Sequence, residues 1–340
     1  MKPVKVKAYA NAGVDVDLGN AVKSGIQSMV RSTHGPQVLG KIGGFGGLFR
    51  ADFGKMKDPV LVASVDGVGT KLKVAFMTKK HGTVGQDLVN HCINDIAVVG
   101  ARPLFFLDYI AAGKLEPVVF KQLLSGFTKA CKAGSCALIG GETAQMPSLY
   151  QVDEYDVAGT IVGVVDRPKM LDGSKVRVGD VIIGLPSNGL HTNGYSLARK
   201  ILFETMGLKT TSKLPELAKP LGEELLRVHK NYQPLMASLP DGLINGAAHI
   251  TGGGLIDNLP RVLPKGTQAN IRRSSWRVPA IFKIIEAGGK VDPTEMYQVF
   301  NMGIGMAFIV SKKREAEALK LTKGRVIGEI VEGNQKVTLV

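Results

Sequence analysis

Cysteine is scarce in this chain of 340 residues: Cys92, Cys131 and Cys136 are the three. The count is odd and no C-x-x-C pair occurs, which argues against a disulfide framework or a zinc site and for reduced thiols packed as small hydrophobes. Aromatic residues make up 6%, too few to stack a run of unpaired bases. No apolar run is long enough to span a bilayer. The basic start, Met1-Lys2-Pro3-Val4-Lys5-Val6-Lys7, is followed by no apolar segment. No secretory signal is expected, and the cytoplasm is the expected compartment. The familiar nucleotide motifs are missing too: G-x-x-x-x-G-K-[ST] does not occur, and no G-x-G-x-x-G follows a strand. There is no internal repeat and no low-complexity tract.

What is present describes a folded, soluble protein. Apolar residues are 44% and charged residues 21%, far from a disordered composition. The length exceeds what one hydrophobic core usually serves, so two domains are expected. The formal net charge is +14. A nucleic-acid-binding protein would account for it, but the basic residues are dispersed, with short clusters at Lys79-Lys80, Arg272-Arg273 with Arg277, and Lys312-Lys313-Arg314. An enzyme that draws in anionic metabolites explains the charge as well, and a solvated, lysine-rich surface explains most of it more simply. A steep loss of nucleic-acid affinity with salt would mark the first of these.

Residues 1–35 read as a polar arm with room for a short helix at 19–30. Strands at 60–65, 103–111, 136–140 and 156–165 then alternate with helices at 84–99 and 116–133, the second opened by Glu116-Pro117. A connector at 166–180 leads to a second half. There the pattern predicts a strand at 181–185, a helix from Tyr195, helices at 213–230 and 232–239, and strands at 304–310, 325–331 and 336–340.

The chemistry-bearing residues gather at strand ends and glycine turns. Ser64-Val65-Asp66-Gly67-Val68-Gly69-Thr70-Lys71 sets a carboxylate, bare backbone N–H groups, a hydroxyl and an ammonium close together, as a metal-bound polyphosphate requires. Asp-Gly also marks ordinary turns. The loop at 40–47 holds five glycines, Gly40, Gly43, Gly44, Gly46 and Gly47. It is either an anion-binding nest or a plain surface loop. On the helix at 84–99, Asp87, Asn90, His91, Asn94 and Asp95 oppose the apolar stripe. A solvated face usually mixes signs, whereas this one lacks Lys and Arg, as a magnesium site does. Glu142 follows a buried-looking strand and is placed as an oxygen ligand or an acid/base; a surface turn is the plainer reading. His191 sits between Asn188 and Asn193 in a strand-to-helix turn, and His249 precedes Thr251-Gly252-Gly253-Gly254; such turns can face a phosphate. A lone histidine is more often a bystander, and His34, His81 and His229 are read that way.

Together these segments resemble the phosphoribosylformylglycinamidine cyclo-ligase (aminoimidazole ribonucleotide synthetase) family. The match runs through GGFGGLF (43–49), SVDGVGTKL (64–72), HCINDI (91–96), GGETAQMP (140–147), LHTNGYSLARKIL (190–202), HITGGGLIDNLPR (249–261) and FNMGIGM (300–306), and covers almost the whole chain in the family's order. The resemblance implies an α+β fold with an arm (1–35) and two domains. The N-terminal mixed α/β domain (36–167) binds ATP, and its sheet pairs across a homodimer into a β-barrel; a C-terminal α/β domain (175–340) follows. It implies an ATP-dependent ligase that closes the imidazole ring of aminoimidazole ribonucleotide from formylglycinamidine ribonucleotide, with no nucleic-acid or membrane partner. Carried over, Asp66, Asp95 and Glu142 would bind Mg2+. Lys71 and Thr70, with the backbone of Gly43, Gly44, Gly46 and Gly47, would meet the ATP phosphates. Asn188, His191, Thr251, Gly252 and Gly253 would face the ribonucleotide, and His191, Lys71 and Glu142 would be catalytic.

The family pattern GGETAEMPG reads here with Gln145 and Ser148, one carboxylate fewer. Other members of the wider superfamily fit less well. No cysteine lies in the glycine loop, as a selenophosphate synthetase would need, and the chain does not end in cysteine, as the hydrogenase-maturation dehydratase does. Thiamine-monophosphate kinase, the alternative of the same architecture, usually lacks the GGETA and HITGGG segments.

Overall fold

The computed structural model describes residues 12–14, 25–40 and 42–340. Most of the expected arm lies outside the described residues; helix α1 (Gln27–Arg31) is its one described helix. The first half is a four-stranded sheet backed by helices. Strands β1 (Pro59–Gly67), β2 (Arg102–Ala112), β3 (Ala137–Gln145) and β4 (Tyr155–Asp166) lie in the order β1-β4-β2-β3. β4 runs antiparallel to both β1 and β2, while β2 and β3 are parallel. A parallel pair needs a crossover, and helix α4 (Pro117–Ala133) supplies it. Helices α2 (Lys71–Thr78) and α3 (Gly82–Ala97) connect β1 to β2.

Among the described residues this sheet is covered on one side. Phe106, Leu138 and Ile161 point inward and share a core with Ile93 of α3 and Phe127 of α4. The alternate residues point out: Leu61 and Val65 are 61% and 67% exposed, and Tyr109 is 38% exposed. The strand alternation that buries one set presents the other as an apolar outer face.

The second half is a six-stranded sheet in the order β10-β7-β9-β5-β8-β6, built from β5 (Val181–Pro186), β6 (Gly246–His249), β7 (Thr267–Ile271), β8 (Ile304–Val310), β9 (Arg325–Glu332) and β10 (Val337–Leu339). Its neighbours are antiparallel except β10 and β7. Helices α5 (Tyr195–Arg199), α6 (Leu221–Leu225), α7 (Gln233–Ser238), α8 (Gly254–Asn258), α9 (Ala280–Gly289), α10 (Pro293–Val299) and α11 (Glu315–Thr322) lie between these strands in the chain. Both faces are covered. Ile182, Ala307 and Ile309 pack in the same core as Ile281, Phe282 and Ile285 of α9. Val181, Ile183, Phe308 and Val310 pack with Ala318 of α11, Leu235 and Met236. Burial on both faces is why β8 reads as an unbroken apolar run.

The predicted helix at 213–230 is corrected. Only Leu221–Leu225 is α-helical, because Pro215 and Pro220 remove donors and forbid a continuous helix. The helix from Tyr195 holds for five residues and continues as a wider π-turn over Lys200–Thr205. Strands β6 and β7 were not expected: one is three small residues and a histidine, the other a polar alternation. Among the described residues no helix is long and apolar enough to cross a membrane.

Candidate active site

A cleft of 740 Å3 opens where the two sheets meet, lined by Asp66, His91 and Asp95 from the first half and by Asn193, His249, Thr251, Gly252 and Arg261 from the second. Asp66 stands near the end of β1, where its Oδ1 accepts the Gly67 N–H at 2.7 Å. Its Oδ2 lies 2.8 Å from His91 Nε2. Asp95, four residues after His91 on α3, is 3.7 Å from the same nitrogen and 2.8 Å from His249 Nδ1. Burial pushes the Asp66 carboxyl up, but the hydrogen bond and charge of His91, with the Gly67 N–H, outweigh it and hold Asp66 below the usual carboxylate range. Two carboxylates facing one space are a donor set that fits a divalent cation.

The opposite wall is the turn Thr251–Gly254. Asn258 ties it down, donating to the carbonyls of Gly252 and Gly254 at 3.1 and 2.8 Å. Gly253 and Gly254 have φ of +93° and +58°, a region glycine enters without strain. At Gly254 a side chain would also run 1.9 Å from the Tyr297 carbonyl. The result is a rigid turn with bare backbone beside Arg261, suited to an anionic group.

Behind the cleft lies a polar seam. Four of the six histidines meet there. His191 and His229 stack at 3.9 Å between ring centroids, His229 Nε2 is 2.9 Å from His249 Nε2, and His91 Nδ1 is 2.8 Å from Thr192 Oγ1. The polar face of α3 is buried against the chain at 229–232. Asp87 Oδ1 accepts the His229 N–H at 2.7 Å, and Asn90 Nδ2 donates to the His229 carbonyl at 2.7 Å. Asn94 donates to the Lys230 carbonyl at 2.8 Å and accepts the Tyr232 N–H at 2.9 Å. Side chains thus satisfy backbone groups that no strand pairs.

The sequence-expected residues divide between these places. Asp66, Asp95, Thr251 and Gly252 share the cleft. Lys71 does not. Its ammonium has no solvent exposure, lies 2.7 Å from Asp87 Oδ2, and donates to the carbonyls of His191 and Arg227 at 2.9 and 2.8 Å. Enclosed by these three oxygens and shut off from solvent, Lys71 does not reach the cleft, so the expected phosphate contact is not formed in this structure. Burial lowers Lys71 and raises Asp87, and their mutual attraction opposes both shifts.

His191 is also behind the wall. It is 1% exposed, sits at φ +60°, and its Nε2 accepts the Asn188 N–H at 3.0 Å. Burial drives it well below the ordinary histidine value, with the charges of His249 and Lys71 adding to the effect. The ring is buried and does not line the cleft in this structure. Asn188 turns away too, donating to the Val228 carbonyl at 3.1 Å. Gly253 shapes the turn.

Glu142 and the glycine loop stand elsewhere. Glu142 is exposed on β3 and bonds the Thr143 N–H at 2.8 Å. β3 and β1 are the two edges of the sheet, so Glu142 lies about three strand spacings, roughly 14 Å, from the Asp66 edge. The loop goes with it: a side chain at Gly47 would run into Ile139 of β3 at 2.7 Å, and Phe49 packs on Phe105 of β2 at 5.3 Å. A Cβ added at Gly43 or Gly46 would meet nothing among the described residues. Thr70 is exposed at the start of α2, with its Oγ1 3.0 Å from Ser196 Oγ.

Sequence reasoning missed His229, read as a bystander; it placed His91 on the polar helix face and His249 beside a phosphate-facing turn without naming either as a ligand. The spacing of four between His91 and Asp95 on a helix was the available signal for one of them. Nothing in the neighbourhood of His229 marks it.

Two family models match: the AIR synthase related protein N-terminal domain over residues 51–165 and the C-terminal domain over 177–340. Phosphoribosylformylglycinamidine cyclo-ligase of Citrifermentans bemidjiense is 50% identical over all of both chains. That of Geobacter metallireducens is 50% identical over 98% of each, and that of Pseudothermotoga lettingae is 51% identical over 97% of this chain and 99% of its own. Among solved structures, thiamine-monophosphate kinase from Stenotrophomonas maltophilia superposes at a TM-score of 0.69 over 92% of this chain and 95% of its own, with 18% identity. Hydrogenase maturation protein HypE in complex with ATP gives 0.68 over 97% and 93%, with 17% identity. Those two share the fold. At half identity over full length, with both domain models matched, the chain belongs to the phosphoribosylformylglycinamidine cyclo-ligase family.

Proposed function

We propose that this protein is an ATP-dependent cyclo-ligase that converts formylglycinamidine ribonucleotide to aminoimidazole ribonucleotide, with release of ADP and phosphate. One observation carries the reading beyond family membership: Asp66 and Asp95 face Thr251, Gly252 and Arg261 across a single cleft. A carboxylate pair for a cation and a bare turn for an anion are what two phosphorylated ligands need when held head to head. The formamide-derived oxygen is a poor leaving group until it accepts the γ-phosphoryl group of ATP. The substrate amidine nitrogen then attacks the activated carbon, the ring closes, and phosphate departs.

In this reading Thr251, Gly252 and Arg261 hold the ribonucleotide phosphate. Asp66 and Asp95 hold a divalent cation, which supplies charge neutralisation at the transferring phosphoryl group. Asn188, His191 and Lys71 position the cleft wall from behind. The working unit is a homodimer, supported by the apolar outer face of the first sheet, where Leu61 and Val65 stand open. Two such faces closed into a barrel cover each other. Sheet edges meet on closure, so Gly43, Gly44, Gly46, Gly47 and Glu142 of one copy serve the cleft of the other, and Thr70 borders the same ATP site. The domains are taken as 36–167 and 175–340.

The test is turnover with purified protein, ATP and formylglycinamidine ribonucleotide, following ADP and the aminoimidazole product together. ADP release that depends on this substrate is expected. Equal ADP release with thiamine monophosphate in its place would overturn the choice of substrate.

A further inference from the structure

Each carboxylate in the cleft faces an imidazole nitrogen. His91 Nε2 lies 2.8 Å from Asp66 Oδ2 and 3.7 Å from Asp95 Oδ2, and His249 Nδ1 lies 2.8 Å from Asp95 Oδ1. The ligand atoms of His91, Asp95 and His249 all fall within 4.8 Å of one another. An ion with bonds of about 2.1 Å sets adjacent ligands about 3.0–3.4 Å apart, so small side-chain rotations bring these atoms onto one centre. Both rings are nearly enclosed, at 4% and 5% exposure.

The far nitrogens of the two rings are held as well. His91 Nδ1 is 2.8 Å from Thr192 Oγ1, His229 Nδ1 is 3.3 Å from that same oxygen, and His229 Nε2 is 2.9 Å from His249 Nε2. A hydroxyl oxygen has two lone pairs and can accept both Nδ1–H groups. The near nitrogens, His91 Nε2 and His249 Nδ1, are left facing the carboxylates, so these groups converge on one space. A metal-binding histidine characteristically has its other N–H held by such a partner.

Magnesium prefers oxygen ligands and keeps its waters, whereas imidazole nitrogen suits first-row transition metals. We propose that Asp66, His91, Asp95 and His249 form a mixed nitrogen–oxygen site for a transition-metal dication of the manganese, cobalt or zinc class, selected over magnesium, with Thr192 and His229 fixing the two rings. It rests on the reading of Asp66 and Asp95 as cation ligands and names the cation they take; the magnesium that travels with ATP is a separate ion.

The experiment uses chelator-treated full-length protein without nucleotide or substrate, titrated calorimetrically with Mg2+, Mn2+ and Co2+. One Mn2+ or Co2+ per chain is expected, bound roughly tenfold or more tightly than Mg2+. Pulsed electron paramagnetic resonance of the wild-type Mn2+ protein should show nitrogen coupling, a readout independent of how any variant folds. His91→Gln should weaken Co2+ binding by roughly tenfold or more while leaving Mg2+ binding in place, and Asp66→Asn should weaken both. Equal wild-type affinity for Mg2+ and Mn2+, or an Mn2+ signal without nitrogen coupling, overturns the proposal. Because catalysis is not measured, such a result leaves the ligase reading to its own assay. Wild-type-like metal binding by Asp66→Asn overturns the cation role of Asp66 itself.

Discussion

Lys71 shows how a single residue can mislead when read along the chain and inform when read in space. In the sequence it closes an acid–glycine–hydroxyl run that reads as phosphate chemistry. In the fold its ammonium faces Asp87 and the carbonyls of His191 and Arg227, so it joins α2 and α3 to the turns of the second domain. Removing one partner of a buried ion pair leaves the other charge uncompensated, which costs about 3–5 kcal/mol. Lys71→Met is therefore expected to lower the free energy of unfolding by that order in urea titration, and Lys71→Met with Asp87→Leu to recover much of the loss. A Lys71→Met protein as stable as wild type would return Lys71 to the phosphates. Asp66, Thr251 and Gly252 were legible because an acid or hydroxyl beside glycine at a strand end has few structural reasons to be there, and Asp95 because it belongs to a polar helix face without Lys or Arg. His229 was not, because its role comes from its neighbours in space, Thr192 and His249, and from nothing adjacent in sequence.

At the scale of elements, α3 was legible as a helix with an unusual polar face, but the purpose of that face was not. It faces neither solvent nor, for the most part, a ligand: Asp87, Asn90 and Asn94 dock the chain at 229–232. Sequence periodicity reports which residues share a face and cannot name what covers it. The apolar side of α3 meets α4 at closer range than Leu or Val would permit. A Cβ on Gly126 would come 2.4 Å from the Gly82 carbonyl oxygen and 2.9 Å from Gly85 Cα, and one on Gly85 would come 2.5 Å from the Leu123 carbonyl oxygen. Gly126→Ala must push two backbones apart, and overpacking of this kind costs about 1–3 kcal/mol. The expected result is a lower urea midpoint, with Gly46→Ala, whose added Cβ meets nothing, as an unchanged comparison. Equal midpoints for the two variants would mean that the helix pair yields without cost. The strands of the double-covered sheet were partly legible for a related reason. β8 is apolar throughout, whereas β6 and β7 are short or polar and owe their pairing to β8 and β9.

For the molecule as a whole, the two halves join through titratable groups, so their union depends on pH. Burial drives His191 and His229 well below the ordinary histidine value, with nearby positive groups adding. Burial lowers His249 too, against the pull of Asp95. At His91 burial also lowers, but the bond to Asp66 and the charges of Asp95 and Asp66 win and raise it. An unfolded chain takes up protons on all four near their ordinary value; the folded chain refuses them on the first three. Below that value the unfolded state holds more protons, and stability falls with pH by up to about 1.4 kcal/mol per pH unit for each such histidine. His91 contributes the opposite sign, stability lost as pH rises through its raised value. Three against one gives a net loss on acidification. Urea unfolding at pH 5.5 should give a lower midpoint than at pH 7, with a shallower difference in His229→Gln; a midpoint that does not move would mean the seam admits protons. The same scale decides how the active unit is assembled. Glu142 and the glycine loop sit on one edge of the first sheet and Asp66 on the other, so one chain does not bring them together, while two chains closed into a barrel would. Asp66→Asn and Glu142→Gln proteins should each be folded and inactive. Unfolded and refolded together, they form mixed dimers in half of the population, each with one intact cleft, and about a quarter of wild-type turnover should return. Activity that stays absent from the mixture, with mixed dimers verified by mass, would place both carboxylates in the cleft of one chain and require the β3 edge to reach it without a partner.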